Sequence, residues 1–120
     1  MTESLTELAL FELLSLECRV HPCGATTYRN RDGRLHRMHG PAIEYSDGGS
    51  EWFQNGLYHR IAGPAVECAD GSEFWYQKGR LHRLDGPAIQ CGGNVYRWYI
   101  DGTELTKAEW QQAVASMEAV

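Results

Sequence analysis

The sequence predicts a mainly β fold: a curved antiparallel meander of about three and a half 23-residue repeats, with a short helix at each end. Three observations predict it. Aromatic segments bounded by glycine recur at a fixed interval, the residues after them alternate in polarity as strands do, and both terminal segments have helical spacing instead. In a chain of 120 residues this arrangement gives roughly six to eight short strands, about two per unit.

Several residue types share the interval. Glycine recurs every 23 residues, as do a His-Arg pair, a Gly-Pro-Ala triplet and a tryptophan followed by a second aromatic. The glycines are Gly33, Gly56, Gly79 and Gly102; the pairs are His36-Arg37, His59-Arg60 and His82-Arg83; the triplets begin at Gly40, Gly63 and Gly86; the aromatics are Trp52-Phe53, Trp75-Tyr76 and Trp98-Tyr99. A fixed period indicates a repeat architecture, here over residues 28–105 of a single domain, 1–120.

Each unit is predicted to consist of short strands joined by tight turns. Asn55-Gly56 and Asp101-Gly102 are dipeptides favoured in two-residue hairpin turns, because both central residues there need a positive φ. After each Gly-Pro step, the residues alternate between the two faces of a strand. Ile43, Val66 and Ile89 are expected on one face with Tyr45, Cys68 and Cys91, whereas Ala42 and Glu44 point to the other.

Helical caps are predicted at both ends, because a repeat array must close its exposed core. In the N-terminal helical segment, 1–18, Ser4 and Glu7 have the spacing of a capping box. The same spacing recurs at Thr106 and Glu109, at the start of the C-terminal capping helix, 106–120. The apolar stripes are Leu5, Leu8, Phe11 and Leu14 in the first segment and Trp110, Ala113, Val114 and Met117 in the second.

Net charge argues against a protein that binds a phosphate backbone. The formal net charge is −5, and residues 1–18 supply −4 of it, through Glu3, Glu7, Glu12 and Glu17 without any lysine or arginine. This acidic segment could meet a basic partner or simply be a solvated helix face. Its start lacks the basic region of a signal peptide, and no apolar run reaches the length of a membrane span. The sequence therefore predicts a cytoplasmic protein with reduced thiols.

The His-Arg pair is the main candidate for chemistry, and its repetition argues against catalysis. A catalytic site normally brings unlike groups together in one pocket, whereas the same histidine occurs here three times. Seven residues after each arginine stand Glu44, Glu67 and Gln90, so no acidic partner keeps a constant offset. We therefore predict no catalytic residue, no cofactor and no enzyme activity, and expect the pair to hydrogen-bond the turn of the neighbouring unit.

No metal site is predicted. Cys18, His21 and Cys23 form half of a zinc-ligand pattern, but no second ligand pair follows, and structural thiols are the favoured interpretation. Equivalent histidines in successive hairpins would lie two strands apart, about 9–10 Å, which is too far to share an ion. The same distance argues against a disulfide between Cys68 and Cys91.

The unit resembles the MORN repeat, a β-hairpin module with an aromatic residue, an asparagine-glycine turn, a following G-x-x-H and an aspartate-glycine turn. MORN units have glycine directly after the histidine, whereas this chain has Arg37, Arg60 and Arg83. The form H-R-x-x-G-P-A is similar to repeat proteins of bacteriophage and prophage genomes. That resemblance implies a small accessory protein that disarms a host defence. The resemblance to MORN repeats in general implies an association with membrane lipids or with protein assembly.

Together these observations predict a non-enzymatic protein-binding module, such as an anti-CRISPR-like phage inhibitor that occludes a host or partner protein complex stoichiometrically. A MORN-like lipid- or membrane-associated scaffold is the alternative. One aromatic of each pair is expected in the core and the other partly exposed, unless side chains and end helices cover both. The predicted partner-binding residues are Trp52, Phe53, Trp75, Tyr76, Trp98 and Tyr99, with Arg60, Arg83, Glu3, Glu7 and Glu12. Neither nucleic acid nor a membrane is an expected partner, and open edge strands offer a surface for a homodimer.

Overall fold

The computed structural model describes residues 16–118, and the predicted N-terminal helix with Glu3, Glu7 and Glu12 lies outside the described residues. Within this range the protein is mainly β, with antiparallel strands in an open sheet and one C-terminal helix. The strands are β1 (Glu17–Val20), β2 (Thr26–Arg29), β3 (Ile43–Glu44), β4 (Ser50–Glu51), β5 (Phe53–Gln54), β6 (Leu57–Tyr58), β7 (Val66–Glu67), β8 (Glu73–Phe74), β9 (Tyr76–Gln77), β10 (Arg80–Leu81), β11 (Ile89–Cys91), β12 (Val95–Ile100) and β13 (Thr103–Leu105). The helix, α1, comprises Lys107–Glu118.

Nine of these strands form the main sheet, in the order β1-β2-β3-β4-β7-β8-β11-β12-β13. The hairpins β5–β6 and β9–β10 form separate two-stranded sheets. The described residues thus contain thirteen strands, and the expectation of roughly six to eight, two per unit, is wrong. Residues 43–58 contain two hairpins, β3–β4 and β5–β6, because both Asp47-Gly48 and Asn55-Gly56 lie in tight turns. Residues 66–81 contain two more, β7–β8 and β9–β10. The strands are accordingly short.

The predicted hairpin turns are confirmed by backbone conformation. Asn55 and Gly56 have φ values of 50° and 82°, and Asp101 and Gly102 have 46° and 83°. The turn between β9 and β10 has the same conformation, with Lys78 at a φ of 53°. A lysine side chain disfavours this left-handed region, so contacts from elsewhere must hold that turn.

The first strand replaces part of the predicted N-terminal helical segment. Glu17 and Cys18 belong to β1, which pairs with β2, so a helix cannot extend to residue 18. The turn that joins the two strands contains Gly24, whose φ is 92°. The sheet therefore begins before residue 28, where the repeated sequence pattern starts.

The alanines of the Gly-Pro-Ala triplets are the most deeply buried apolar residues of the core. Ala42, Ala65 and Ala88 are completely buried, whereas Tyr45, on the face assigned to the larger apolar residues, is 41% exposed. The pattern of alternation was predicted, but the small residues occupy the more deeply covered positions. A larger side chain at a site with no exposed surface would have to displace its neighbours, which explains why alanine stands there.

The C-terminal helix begins with the predicted capping box. The Thr106 N–H donates to Glu109 Oε1 at 2.8 Å, and the Glu109 N–H donates to Thr106 Oγ1 at 3.2 Å. These hydrogen bonds lower the pKa of Glu109. Trp110 is buried, while Met117, at the end of the predicted stripe, is 48% exposed. Only the first turns of α1 are therefore covered, where the helix contacts β12 and β13.

No helix within residues 16–118 has the length and apolar character needed to cross a membrane.

Candidate functional site

The three repeated histidines hold the hairpin turn of the following unit. Nδ1 of His36, His59 and His82 accepts a hydrogen bond from the backbone N–H of Asn55, Lys78 and Asp101 respectively, each at 3.0 Å. These donors are the first positive-φ residues of their turns. The expectation that the histidine contacts a neighbouring turn is confirmed. The interaction requires an unprotonated Nδ1, so these nitrogens are occupied as structural acceptors.

Two backbone hydrogen bonds accompany each histidine contact. At the middle junction the Gly79 N–H donates to the Tyr58 carbonyl at 2.8 Å, and the Arg60 N–H donates to the Tyr76 carbonyl at 3.1 Å. The junctions on either side have the same pattern, through Gly56 and Arg37 on one side and Gly102 and Arg83 on the other. Three hydrogen bonds therefore fix each hairpin to the preceding unit.

The side chain of each of these arginines acts within its own unit, contrary to the expectation that it hydrogen-bonds the neighbouring turn. Arg60 Nη1 donates to the Pro64 carbonyl at 3.1 Å and to Glu67 Oε1 at 3.0 Å. Its guanidinium carbon lies 3.9 Å from the centre of the Trp52 ring. The equivalent distances are 3.9 Å for Arg37 over Tyr28 and 3.7 Å for Arg83 over Trp75.

The position seven residues after the arginine keeps its contact although its charge changes. Arg83 Nη1 donates to the amide oxygen of Gln90 at 3.4 Å, as Arg60 does to the carboxylate of Glu67 at 3.0 Å. Arg83 also donates from Nε to Asp85 Oδ1 at 2.8 Å. The sequence difference at Gln90 therefore replaces a charged acceptor by a neutral one without removing the acceptor.

The eight predicted anchors in the described range are partly covered by neighbouring side chains. Phe53 is 8% exposed and the other seven are half-buried. Their contacts explain this. Arginines cover Trp52 and Trp75, Trp110 lies 4.6 Å from the centre of the Trp98 ring, and the rings of Phe53, Tyr58 and Tyr76 stack with centroids 4.4 and 4.8 Å apart.

A different set of apolar side chains is exposed. Met38, Ile61 and Leu84 directly follow the three repeated arginines and are 45%, 70% and 41% exposed. We call these three residues the apolar row. The sequence pattern H-R-x-x-G-P-A leaves the residue after the arginine unspecified, although this residue is apolar in each of the three units that have the His-Arg pair. The recurrence of an apolar residue shortly before each Gly-Pro step was the sequence feature that could have predicted the apolar row.

The apolar row borders a groove between two units. The groove has a volume of about 350 Å³, and Ile61 and Leu84 line it together with Trp75, His82 and Arg83. Arg83 is fixed there by its ring contact and by oxygen acceptors from Asp85 and Pro87. The groove therefore has a mixed lining, with apolar side chains beside an ion pair of Arg83 and Asp85.

A carboxylate between two tyrosines forms a second polar cluster. Tyr45 and Tyr58 both donate their hydroxyl hydrogen to Glu51, Tyr58 at 2.6 Å. The hydrogen bond to Glu51 is the main reason why the pKa of Tyr45 is raised to about 12. Burial, followed by the hydrogen bond to Glu51, raises the pKa of Tyr58. Both hydroxyls are therefore proton donors over the ordinary pH range, which suits a structural role.

The cysteines do not form a buried cluster. Cys18 and Cys23 are exposed free thiols, and His21 Nε2 lies 2.9 Å from Thr27 Oγ1. Burial raises the pKa of the Cys68 thiol. Between residues 16 and 118, no three or more His, Cys, Asp or Glu side chains are grouped so as to hold a metal ion.

No protein-family description matches this chain, and no curated protein or solved structure shows significant similarity to it.

Proposed function

We propose that this protein is a non-enzymatic protein-binding module whose contact surface is the apolar row and the groove beside it. The observation that carries the proposal is the exposure of Met38, Ile61 and Leu84, at 45%, 70% and 41%, on equivalent loops. Large apolar side chains clustered on a surface are typical of interaction sites. Units two strands apart would space these side chains about 10 Å from one another.

The order of the backbone that carries the apolar row supports this function, because side-chain contacts within the protein already hold that backbone in place. Each row residue follows an arginine whose guanidinium lies over an aromatic ring and donates to a nearby proline carbonyl. Binding to a surface that is already ordered costs less conformational entropy. The chemistry fits a partner segment with apolar side chains for the row and polar groups for the Arg83–Asp85 ion pair that lines the groove.

We further propose that the 23-residue units form a curved MORN-like array. The support is the sequence resemblance over residues 28–105 and the equivalent turn contacts of His36, His59 and His82. By the resemblance to phage and prophage repeat proteins, the module would act in the cytoplasm as an inhibitor of host defence. It would occlude a surface of one protein complex with one copy per target.

The test compares two charge substitutions of similarly exposed residues. Ile61→Glu places a carboxylate in the apolar row, and Leu57→Glu places one at a side chain that is 52% exposed in β6 and does not line the groove. Tagged wild-type protein and both variants are used to capture complexes from a bacterial lysate, followed by mass spectrometry and titration of the purified complex.

The proposal predicts one complex that wild type and Leu57→Glu retain at about one copy per target and that Ile61→Glu loses. Retention by all three proteins would contradict the assigned surface. If wild type floated with anionic lipid vesicles and Ile61→Glu did not, the apolar row would bind lipid, and the lipid-scaffold function would be favoured over protein binding. Turnover of excess target by a trace of protein would contradict the non-enzymatic function.

A further inference from the structure

Among the described residues, β1 is the edge strand at one side of the main sheet. β1 pairs with β2 on one side, and no other strand within residues 16–118 pairs with it. All four of its residues are exposed, and Val20 is 70% exposed. An open edge presents backbone N–H and C=O groups that can pair with another strand.

The hydrogen bonds of β2 determine which groups of β1 face outward. The Tyr28 N–H donates to the Ala42 carbonyl at 2.8 Å, and the Tyr28 carbonyl accepts from the His36 N–H at 3.0 Å. Tyr28 therefore does not bond to Cys18, which stands opposite it in the register. In an antiparallel ladder, bonded and non-bonded pairs alternate. The N–H and C=O of Cys18 consequently point away from β2, as do those of Val20.

The sequence along this edge is complementary to itself. Residues 16–20 are Leu16, Glu17, Cys18, Arg19 and Val20. If a second copy pairs with this segment about a two-fold axis at Cys18, each Glu17 stands opposite the Arg19 of the other copy. Each Leu16 stands opposite a Val20. Opposite charges and apolar pairs in directly opposed positions stabilise an antiparallel ladder.

Neighbouring registers lack this complementarity. An axis at Glu17 would oppose two glutamates, and an axis at Arg19 would oppose two arginines. Like charges in directly opposed positions destabilise a ladder. If the two-fold axis lay between two residues, backbone groups that point outward in one copy would stand opposite groups that point back to β2 in the other. The axis must therefore pass through a residue.

We propose that two copies of this chain form a homodimer by antiparallel pairing of β1 with β1, with Cys18 on the two-fold axis. Cys18 and Val20 of each copy supply outward-facing backbone groups for the hydrogen bonds between the copies. The main sheet then continues from one copy into the other. This interface does not include the apolar row, so the dimer and the proposed function can fail independently.

Charge reversal tests the register. Sedimentation equilibrium under reducing conditions should give twice the chain mass of 13.6 kDa for wild type. Arg19→Glu places four carboxylates at the interface and should weaken the dimer at least tenfold, as should Glu17→Arg with four guanidinium groups. The double variant Glu17→Arg/Arg19→Glu recreates both opposite-charge pairs and should restore dimerisation. A monomeric wild type, or a dimer that neither single reversal weakens, would overturn the proposal.

A thiol oxidant gives a second, independent readout. Opposed residues in a bonded antiparallel pair have Cα atoms about 5.5 Å apart, which is within the range of a disulfide. The oxidant used is diamide, a diazene that accepts two electrons and two protons from the two Cys18 thiols and becomes a hydrazine as their S–S bond forms. A covalent dimer should form in wild type and Cys23→Ser but not in Cys18→Ser, which should remain a noncovalent dimer. Crosslinking that requires Cys23 instead of Cys18 would contradict the register.

Discussion

Arg60 fills the space between the ring of Trp52 and the backbone of Gly63. Its guanidinium carbon is 3.9 Å from the ring centre, and a methyl group at Gly63 would lie 2.8 Å from the same carbon. Gly63 has no positive φ, so close approach of the arginine is what requires glycine here. Gly86 has the same relationship to Arg83, at 2.7 Å. This contact accounts for the equal spacing between the arginine and the Gly-Pro step in the three units.

Gly63→Ala should displace Arg60 from the ring. Because arginine is long and flexible, we expect it to move and lose its contacts with Trp52 and Pro64, which costs about 1–2 kcal/mol of unfolding free energy. Gly92→Ala is the matched control, since nothing lies within 4 Å of its added methyl group and its φ is not positive. The control should change stability by less than about 0.5 kcal/mol in urea unfolding.

A double-mutant cycle tests whether the cost of Gly63→Ala arises from the displacement of Arg60. In an Arg60→Ala background the space beside Gly63 is vacant, so Gly63→Ala should cost clearly less than it does in wild type. Equal costs in both backgrounds would show that the glycine is needed for some other reason.

Replacing His59 should release the β9–β10 turn. His59→Ala removes the acceptor for the Lys78 N–H and should cost about 1–2 kcal/mol. Amide hydrogen exchange at Lys78 should accelerate before that of the main sheet, because the turn opens locally.

Asparagine and glutamine substitutions at His59 distinguish the loss of the hydrogen-bond acceptor from the loss of the imidazole ring. The Oδ1 of asparagine is as many bonds from Cα as Nδ1 of histidine, so His59→Asn should retain much of the protection at Lys78. His59→Gln places its oxygen one bond farther and should retain less. Equal protection in His59→Ala and wild type would refute the turn-holding role.

Local signals in the sequence predicted the parts of the fold that depend on few residues. The turn conformations at Asn55-Gly56 and Asp101-Gly102, and the capping box of Thr106 and Glu109, are set by the residues themselves. The histidine contact was predictable because His59 and its turn keep the same interval as their counterparts.

The remaining features depend on which surfaces meet in three dimensions. Polarity alternation assigns Ala42 and Ile43 to opposite faces but does not tell which face is covered more deeply. Likewise, the sequence shows that Trp52 and Arg60 recur without showing that the arginine covers the ring. For this reason the sequence did not show which aromatic of each pair is covered, and the exposed Ile61 was missed.

Alkaline pH should destabilise the protein through Tyr45. Its pKa is raised from 10.0 to about 12 in the folded state, chiefly by the hydrogen bond to Glu51. A raised folded-state pKa contributes stability that is complete below the unfolded value and is lost as pH rises through the folded value. Unfolding free energy should therefore fall between pH 10 and pH 12, and less steeply in Tyr45→Phe.

Tyrosinate absorbance provides the matching measurement. Glu51→Gln removes the carboxylate acceptor and should bring the pKa of Tyr45 down towards its usual value, so that ionisation occurs at lower pH. Tyr96→Phe, at a residue that is 50% exposed in β12, controls for loss of a phenol elsewhere. If Glu51→Gln left the tyrosinate titration unchanged, the assigned cause of the shift would be wrong.

Trp110 attaches the C-terminal helix to the end of the sheet. Its ring centre lies 4.6 Å from that of Trp98, and its Nε1 donates to the Arg83 carbonyl at 2.8 Å. Trp110→Ala removes both contacts at a buried site and should cost about 3–5 kcal/mol, whereas Trp110→Phe keeps a ring and should cost about 1–2 kcal/mol. Met117→Ala, at a residue 48% exposed on the same helix, should cost less than about 0.5 kcal/mol. Urea unfolding followed by far-ultraviolet circular dichroism measures all three, and a loss in Trp110→Ala no larger than in Met117→Ala would mean that the helix does not stabilise the sheet.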